Sequence, residues 1–420
     1  MRNFVAGLAF VLMGCASPEQ VAPNRTAYVG ALVFDGERFQ SRDIVVEGQR
    51  IVDAPTSTAA SRVDLTGRFV VPPYCEAHNH NLGDENQNDE TIAQYLREGI
   101  FYVGILSNLP RLTDPVRHTY NTPTSVDVIF ANGPITATGG HPIRIREMFL
   151  DRGFYPGFTR ETLPGQGYVV IDNAADLERQ WPAVLTLRPD VIKIILIASE
   201  EFERRRDDPA FFGSKGLDPA LVPAIVDRAH AAGLRVFAHI DSAHDFHVAV
   251  ESGVDVIAHL GGFNEPMHID PADARLAAQR GVQVITTTAL TERRRERVSA
   301  EQYDAIVSAQ IANLGLLREA GVTLVVGSDE PRATSTFEIA YLRSLNVFST
   351  AELLRMWSRD CSTTLFPGRQ LGRVEPGYEA SFLVLGANPL ENFDNTASIV
   401  MRVKEGQVLN VPPPPERDGE

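Results

Sequence analysis

The sequence predicts an α/β fold, a (β/α)8 TIM barrel with a small β-sandwich domain built from both chain ends. Three observations carry this. Between residues 70 and 366, short apolar runs alternate with helical patterns, the signature of a parallel sheet with crossover helices. The candidate strands in that region number eight, the count that closes such a barrel. At residues 25–69 and 367–411 the texture is instead short apolar segments broken by Gly and Asp, as in small antiparallel sheets.

Taken in order, Met1-Arg2-Asn3 and the apolar run 4–13 have the basic start and short apolar core of a secretory signal, too short to span a bilayer as a mature helix. Leu12-Met13-Gly14-Cys15 resembles a bacterial lipobox. That resemblance implies that residues 1–14 are removed, that Cys15 carries acyl chains, and that residues 15–24 form a flexible leash. A signal that is cleaved without lipidation is the alternative. The expected location is the periplasm or cell envelope, lipid-anchored. Ala16 stands where inner-membrane lipoproteins often carry aspartate, which favours the outer membrane.

Small strands follow at 28–34, 44–46 and 50–52, with turns at Asp35-Gly36 and Gly48. Barrel strands are expected at 70–75, 101–106, 126–131, 191–196, 235–240, 254–260, 282–287 and 323–327. Asp218-Pro219 opens a helix as N-cap and first turn, and Gly233 closes it. Ser299 with Gln302, and Ser349 with Glu352, have capping-box spacing. Residues 110–166 are rich in turns, Gly and Pro, and read as a long functional loop or lid. Segments 380–385 and 398–403 and the turn Glu405-Gly406-Gln407 return to the small β domain. The Pro-rich, charged stretch 412–420 is expected to be a disordered tail.

Composition narrows the partners. With 420 residues and a formal net charge of −15, the chain repels nucleic acid and anionic membrane surfaces at long range. A small-molecule substrate is expected, membrane contact only through the anchor at Cys15, and a homo-oligomer is left open. Cys75 and Cys361 lie far apart in apolar contexts and read as small core residues in preference to a bridge, although the expected compartment permits disulfides. No cysteine pair has zinc-knuckle spacing, so any metal must use histidine and oxygen ligands.

Residues at the C-terminal ends of barrel strands face one common site. The first candidate strand leads into His78 and His80, whose spacing points both imidazoles to the same side. The fourth carries Lys193, the fifth His239, the sixth His259, and Asp329 follows the eighth. Imidazole nitrogen and carboxylate oxygen bind borderline divalent ions such as zinc, and a catalytic site leaves a position open for water. Lys193 interrupts the otherwise apolar run Ile192-Lys193-Ile194-Ile195-Leu196, where an isolated ammonium costs several kcal/mol or loses its proton. A neutral amine can take up carbon dioxide as a carbamate that bridges two metals; a lysine that snorkels to the mouth or pairs with an acid is the alternative.

The sequence resembles the metal-dependent amidohydrolase superfamily over nearly the whole expected mature chain. Its strand-one motif stands here as Pro72-Pro73-Tyr74-Cys75-Glu76-Ala77-His78-Asn79-His80, and its closing turn as Gly372-Arg373-Val374-Glu375-Pro376-Gly377, with Asn388-Pro389-Leu390 beyond. Ile192-Lys193-Ile194, Ala238-His239, Ile257-Ala258-His259, Gly327-Ser328-Asp329 and Gly139-Gly140-His141 are similar to the imidazolonepropionase and Xaa-Pro dipeptidase-like branch. Pro73 replaces the usual glycine and Glu76 the usual aspartate, and Ser381 departs from a common Ala-Asp-hydrophobic run.

The resemblance implies two divalent ions, zinc first among them: His78, His80 and Asp329 on one, His239 and His259 on the other, and carboxylated Lys193 between. It implies that a metal-bridging hydroxide attacks the scissile carbonyl while Asp329 takes the proton and returns it to the leaving amine. His141 is read as a substrate contact from the long loop, against an ordinary loop histidine. The expected reaction is hydrolysis of a C–N amide or peptide bond in a dipeptide or N-acyl amino acid. A deaminase or cyclic-amide hydrolase acting on a heterocycle, and a non-catalytic surface binding module, are the alternatives.

His230, His244 and His247 read as solvated or packing residues, and His118 and His268 as undecided loop histidines. The cluster Glu292-Arg293-Arg294-Arg295-Glu296-Arg297 reads as a solvated helical surface, or as a holder of an anionic substrate group because it follows the seventh strand.

Overall fold

The computed structural model describes residues 25–83 and 88–413. The signal segment and leash expected over 1–24, with Cys15, lie outside the described residues, as does most of the expected tail. Among the described residues no helix is long and apolar enough to cross a membrane.

The two chain ends meet in one eight-stranded sheet. Its order is Gln407–Val408, Ile399–Lys404, Phe382–Leu385, Phe69–Val71, Arg25–Phe34, Phe39–Glu47 and Arg50–Val52, with Ser61–Asp64 also paired to Arg25–Phe34. The sheet is mixed: Arg25–Phe34 runs parallel to Ser61–Asp64 and Phe69–Val71 and antiparallel to Phe39–Glu47. Val70 pairs with Val384, which joins the N-terminal strands to the C-terminal ones. Tyr28, Val33, Ile44, Val70, Phe382 and Val403 form a shared apolar core on this sheet.

The rest is α/β. Parallel strands Tyr74–Asn79, Ile100–Ile105 and Asp127–Phe130 form one sheet. A seven-stranded parallel sheet runs in the order Val169–Val170, Ile135–Thr136, Ile192–Ile195, Val236–His239, Val256–Ile257, Gln283–Ile285 and Leu324–Val325. Backbone hydrogen bonds tie the two sheets together. The Ala77 N–H donates to the Val326 carbonyl at 2.9 Å, and the Asp329 N–H to the His78 carbonyl at 2.7 Å. At the other edge the Asp190 N–H donates to the Phe130 carbonyl at 2.8 Å.

Every expected barrel strand has a counterpart here, with bounds that differ for physical reasons. The run read as one strand over 70–75 is two, Phe69–Val71 in the chain-end sheet and Tyr74–Asn79 in the parallel one. Pro72 and Pro73 offer no N–H to a ladder, so the chain changes sheets there. The loop over 110–166 contributes a strand, Ile135–Thr136, and an unforeseen helix, Ile143–Asp151. That helix has no side-chain cap, since Pro142 occupies the N-cap position, so the usual start signal is absent. The segment holding His244 and His247 is the helix Ala243–Glu251, with a reciprocal capping box between Ser242 and Asp245. The expected caps form elsewhere: Asp218 accepts from the Ala220 N–H, Ser299 from the Gln302 N–H, and Ser349 and Glu352 cap reciprocally.

The reading of the cysteines as unpaired core residues is corrected. Cys75 and Cys361 form a disulfide with Cα atoms 5.8 Å apart, tying the first parallel strand to the helix Cys361–Leu365. Both are fully buried, which is why apolar context alone suggested packing. The bridge closes a sequence separation of 286 residues, for which the chain-entropy argument gives on the order of 5 kcal/mol. Replacing both cysteines by serine is therefore expected to lower the thermal midpoint by several degrees; equal melting of the double variant and the oxidised protein would show that the bridge contributes nothing.

A buried ion network braces the chain-end sheet against the parallel one. Lys404 Nζ donates to Asp127 Oδ1 and to the Thr122 carbonyl, each at 2.7 Å, and Arg369 reaches Asp127 Oδ2 at 2.6 Å while bonding both oxygens of Glu379. Each charge there has a partner, as burial demands.

Candidate metal centre

The first strand ends with His78 buried and His80 partly buried. His78 Nδ1 lies 2.6 Å from the Ala258 carbonyl and His80 Nδ1 3.2 Å from the Ser107 carbonyl. A carbonyl can only accept, so each Nδ1 carries the proton and each Nε2 presents its lone pair. The two Nε2 atoms stand 3.3 Å apart. Asp329 Oδ1 completes the triangle, 2.8 Å from His80 Nε2 and 3.4 Å from His78 Nε2. Ligand atoms from these three residues all fall within 4.8 Å of one another, a donor set suited to a divalent ion.

The chain reaches this arrangement through a close approach of its last parallel strand to its first. A Cβ at Gly327 would stand 2.8 Å from the His78 nitrogen and 2.6 Å from Ile285 Cγ2, so only glycine fits. Two residues later Asp329 has φ of +49°, an unfavourable backbone for a residue with a Cβ. The turn aims its carboxylate at the histidines.

The other sequence-predicted histidines lie alongside. His259 Nε2 and His239 Nδ1 face each other at 2.5 Å. Ring centroids run in a continuous series: His80 to His78 at 5.1 Å, His78 to His259 at 5.7 Å, His259 to His239 at 4.1 Å and His239 to His141 at 4.9 Å. His141 thus enters the site from the long loop.

Lys193 is 4% exposed, and its Nζ has no hydrogen-bond partner among the described residues. His259 Nδ1 also lacks one. Orphaned buried polar atoms beside a cluster of lone pairs are what a site built around a cation would present. Burial pushes the Lys193 ammonium down to about 7, against the opposing pull of Asp329. Burial also holds His78 and His259 well below the usual imidazole range, in the neutral form that ligates. Burial alone would raise the Asp329 carboxyl, but His78, His80 and His259 hold it well below the usual carboxylate range. Burial takes His141 down to about 3.

The structure brings together His78, His80, His239, His259, Asp329 and His141, with Lys193 close enough to interact with Asp329. The remaining histidines have local partners elsewhere: His230 with Asp255, His247 with Asp273, His244 with Ser199, and His118 with the Pro115 carbonyl. His268 is exposed. The arginine cluster lies in the 3-10 segment Thr288–Arg297, where Arg293 pairs with Glu330, Arg295 with Glu292, and Arg294 bonds Asn264. Arg293, Arg295 and Arg297 are exposed, as on a solvated, mixed-charge surface, whereas Arg294 is half-buried and acts on the Asp241 carboxylate beside His239.

Sequence reasoning passed over the acids that hold the site's backbone, Glu76 and Asp245. Glu76 was noted only as a departure from a motif, and the spacing of Ser242 and Asp245 could have flagged the second as a capping residue.

The profile of the Amidohydrolase family matches residues 198–409. The ochratoxinase of Aspergillus niger is 22% identical over 259 residues, which cover 58% of this chain and 51% of that protein, so the chain spans about half the length of this curated relative. Among solved structures, A. niger ochratoxinase superposes with a TM-score of 0.72 at 17% identity, covering 92% of this chain and 95% of that one. A prolidase complexed with N-methylphosphonate-L-proline gives 0.70 at 21% identity, covering 92% and 100%. A Xaa-Pro dipeptidase with methionine bound in its active site gives 0.70 at 18% identity, covering 91% and 99%.

Proposed function

Because the chain belongs to the amidohydrolase family, we propose that it is a metal-dependent hydrolase of C–N bonds in a small substrate, a dipeptide or N-acyl amino acid. The observation that carries this is the donor set itself: His78, His80 and Asp329 within 4.8 Å, the His239–His259 pair beside them, and a buried Lys193 amine without a hydrogen-bond partner among the described residues. Likeness in fold to a prolidase, a Xaa-Pro dipeptidase and ochratoxinase supports the reaction class. The ties between the two parallel sheets, at Ala77–Val326 and Asp190–Phe130, support reading them as one closed (β/α)8 barrel, with the chain-end sheet as a small companion domain.

In this reading His78, His80 and Asp329 would hold one divalent ion, His239 and His259 would hold a second, and Lys193 would be a ligand shared between them. Lys193 would serve as a carbamate: the amine lone pair would attack the carbon of carbon dioxide and the displaced proton leave to solvent, giving an anion with two oxygens. Bound metal supplies Lewis acidity, which brings the pKa of a water toward neutrality and polarises a carbonyl. Asp329 accepts the proton of the attacking water and delivers it to the departing nitrogen. The carbonyls of Ala258 and Ser107 hold His78 and His80 in the tautomer that presents Nε2. His141, against His239, is placed to contact the substrate.

The buried Cys75–Cys361 bridge supports export to an oxidising compartment, in line with the lipobox at Cys15 and an envelope location. The functional test is a panel of dipeptides and N-acyl amino acids offered to zinc- or manganese-reconstituted protein. Turnover of one class, abolished by a chelator and restored by metal, is expected; no turnover across the panel would leave the binding-module alternative as the better account.

A further inference from the structure

We propose that two fully buried carboxylates, Glu76 and Asp245, are positioning residues, each aligning the backbone of one half of the metal centre. The inference rests on the two-ion reading above. Both side chains have 0% exposure, and both spend their oxygens on fixed donors from two separate strand ends.

Glu76 joins the first parallel strand to the last. Its Oε1 accepts the Ser328 N–H at 2.8 Å and the His78 N–H at 3.3 Å. Its Oε2 accepts the Ser328 hydroxyl at 2.8 Å and the Asn79 amide at 3.4 Å. Asn79 in turn donates to Ser328 Oγ and to the carbonyls of Glu330 and Ala333, and its Oδ1 accepts the His80 N–H at 2.6 Å. The residues so fixed are His78, His80 and the immediate neighbours of Asp329. One carboxylate therefore sets the spacing of all three ligands of the first half.

Asp245 does the same between the strands of Lys193 and His239. Its Oδ2 accepts the N–H groups of Ala198 at 2.9 Å, Asp241 at 3.0 Å and Ser242 at 2.9 Å, and its Oδ1 that of Ser199 at 2.8 Å. Helix capping requires only the donors on its own loop, residues 241 and 242. The two donors from residues 198 and 199 belong to the neighbouring strand end, where Ala198 has φ of +45°. A carboxylate with both oxygens engaged holds that left-handed turn, as Glu76 holds the one at Asp329, whose φ is +49°.

Glu338 provides an internal control. It is equally buried and accepts from the Thr288 N–H and hydroxyl, each at 2.8 Å, and from the Ala289 N–H at 2.7 Å, beside Thr287 with φ of +48°. The loop it fixes carries no proposed ligand.

The test is a competition titration of metal-free protein with zinc against a chromophoric chelator, read as two dissociation constants, together with the melting temperature of each metal-free variant. Glu76→Gln and Asp245→Asn should each weaken a different one of the two constants by about 10–100-fold and leave the other within about threefold. Glu338→Gln should lower the melting temperature with both constants unmoved. The proposal is overturned if Glu76→Gln and Asp245→Asn bind both ions as tightly as the wild type, or if Glu338→Gln weakens binding as much as they do, since either result reduces the acids to general scaffolding. Should an amide variant fail to fold, Glu76→Asp or Asp245→Glu, which keeps the carboxyl group and alters its reach by one methylene, is judged by the same criterion. A wild type that holds no zinc refutes the two-ion reading; a wild type that holds two with unmoved variants refutes only the clamps.

Discussion

Asp329→Asn is expected to lower turnover by about 10²–10⁴-fold at saturating metal, the range of an effective general acid–base. The carboxamide keeps the shape of the side chain but cannot take a proton at neutral pH. The local backbone should survive, because the Asp329 N–H bond to the His78 carbonyl and the neighbouring Ser328 contacts with Glu76 do not involve the substituted atoms. Metal affinity at the His78–His80 position should also fall, since Asp329 Oδ1 lies 2.8 Å from His80 Nε2. The kinetics must therefore be read with metal in excess and its occupancy measured on the same sample. A binding module without catalysis would keep its ligand affinity in this variant and have no turnover to lose, so a wild-type rate that Asp329→Asn leaves intact would remove the assigned proton carrier.

Lys193→Ala is expected to take metal content from two ions per chain to about one and to abolish most activity. An amine pushed down to about 7 in an apolar strand, with no hydrogen-bond partner among the described residues, is mostly available in its neutral, nucleophilic form just above neutrality. Once carboxylated, as proposed, it would supply two oxygens for the His78–His80 and His239–His259 pairs to share. Reconstitution of the wild type in buffer depleted of carbon dioxide should reproduce the one-ion state, and added bicarbonate should reverse it. A deaminase-type centre working with a single ion has no use for a bridging anion, so an unchanged metal count in Lys193→Ala, measured by elemental analysis, would favour that alternative.

Much of this site was legible in the sequence because its chemistry is carried by residue types that stand out where they occur. His78 and His80 share a face by strand alternation, and Lys193 breaks an apolar run that has no other reason to hold a charge. The ends of the short strands were less legible. Val256–Ile257 is a two-residue strand inside a longer apolar stretch, and hydrophobicity continues past the point where the ladder stops. Residues 69–71 and 74–79 look alike in composition, and only Pro72-Pro73 marks the passage between sheets. The choice between core packing and a Cys75–Cys361 bridge could not be made from the sequence, because pairing across 286 residues depends on tertiary placement. Glu76 and Asp245 illustrate the same limit: an acid in a sequence suggests solvent, and only the donors converging on it from two strand ends reveal that it is buried and saturated.

A crystal structure of the zinc-loaded protein, with anomalous data collected at the metal edge, decides whether two ions occupy this site. Two peaks about 3.5–4 Å apart are expected, one ligated by His78, His80 and Asp329, the other by His239 and His259, with density for a carboxylated Lys193 between them. A peak set that leaves His239 and His259 without metal, or clear density ending at the Lys193 amine with both ions bound, would contradict this assignment.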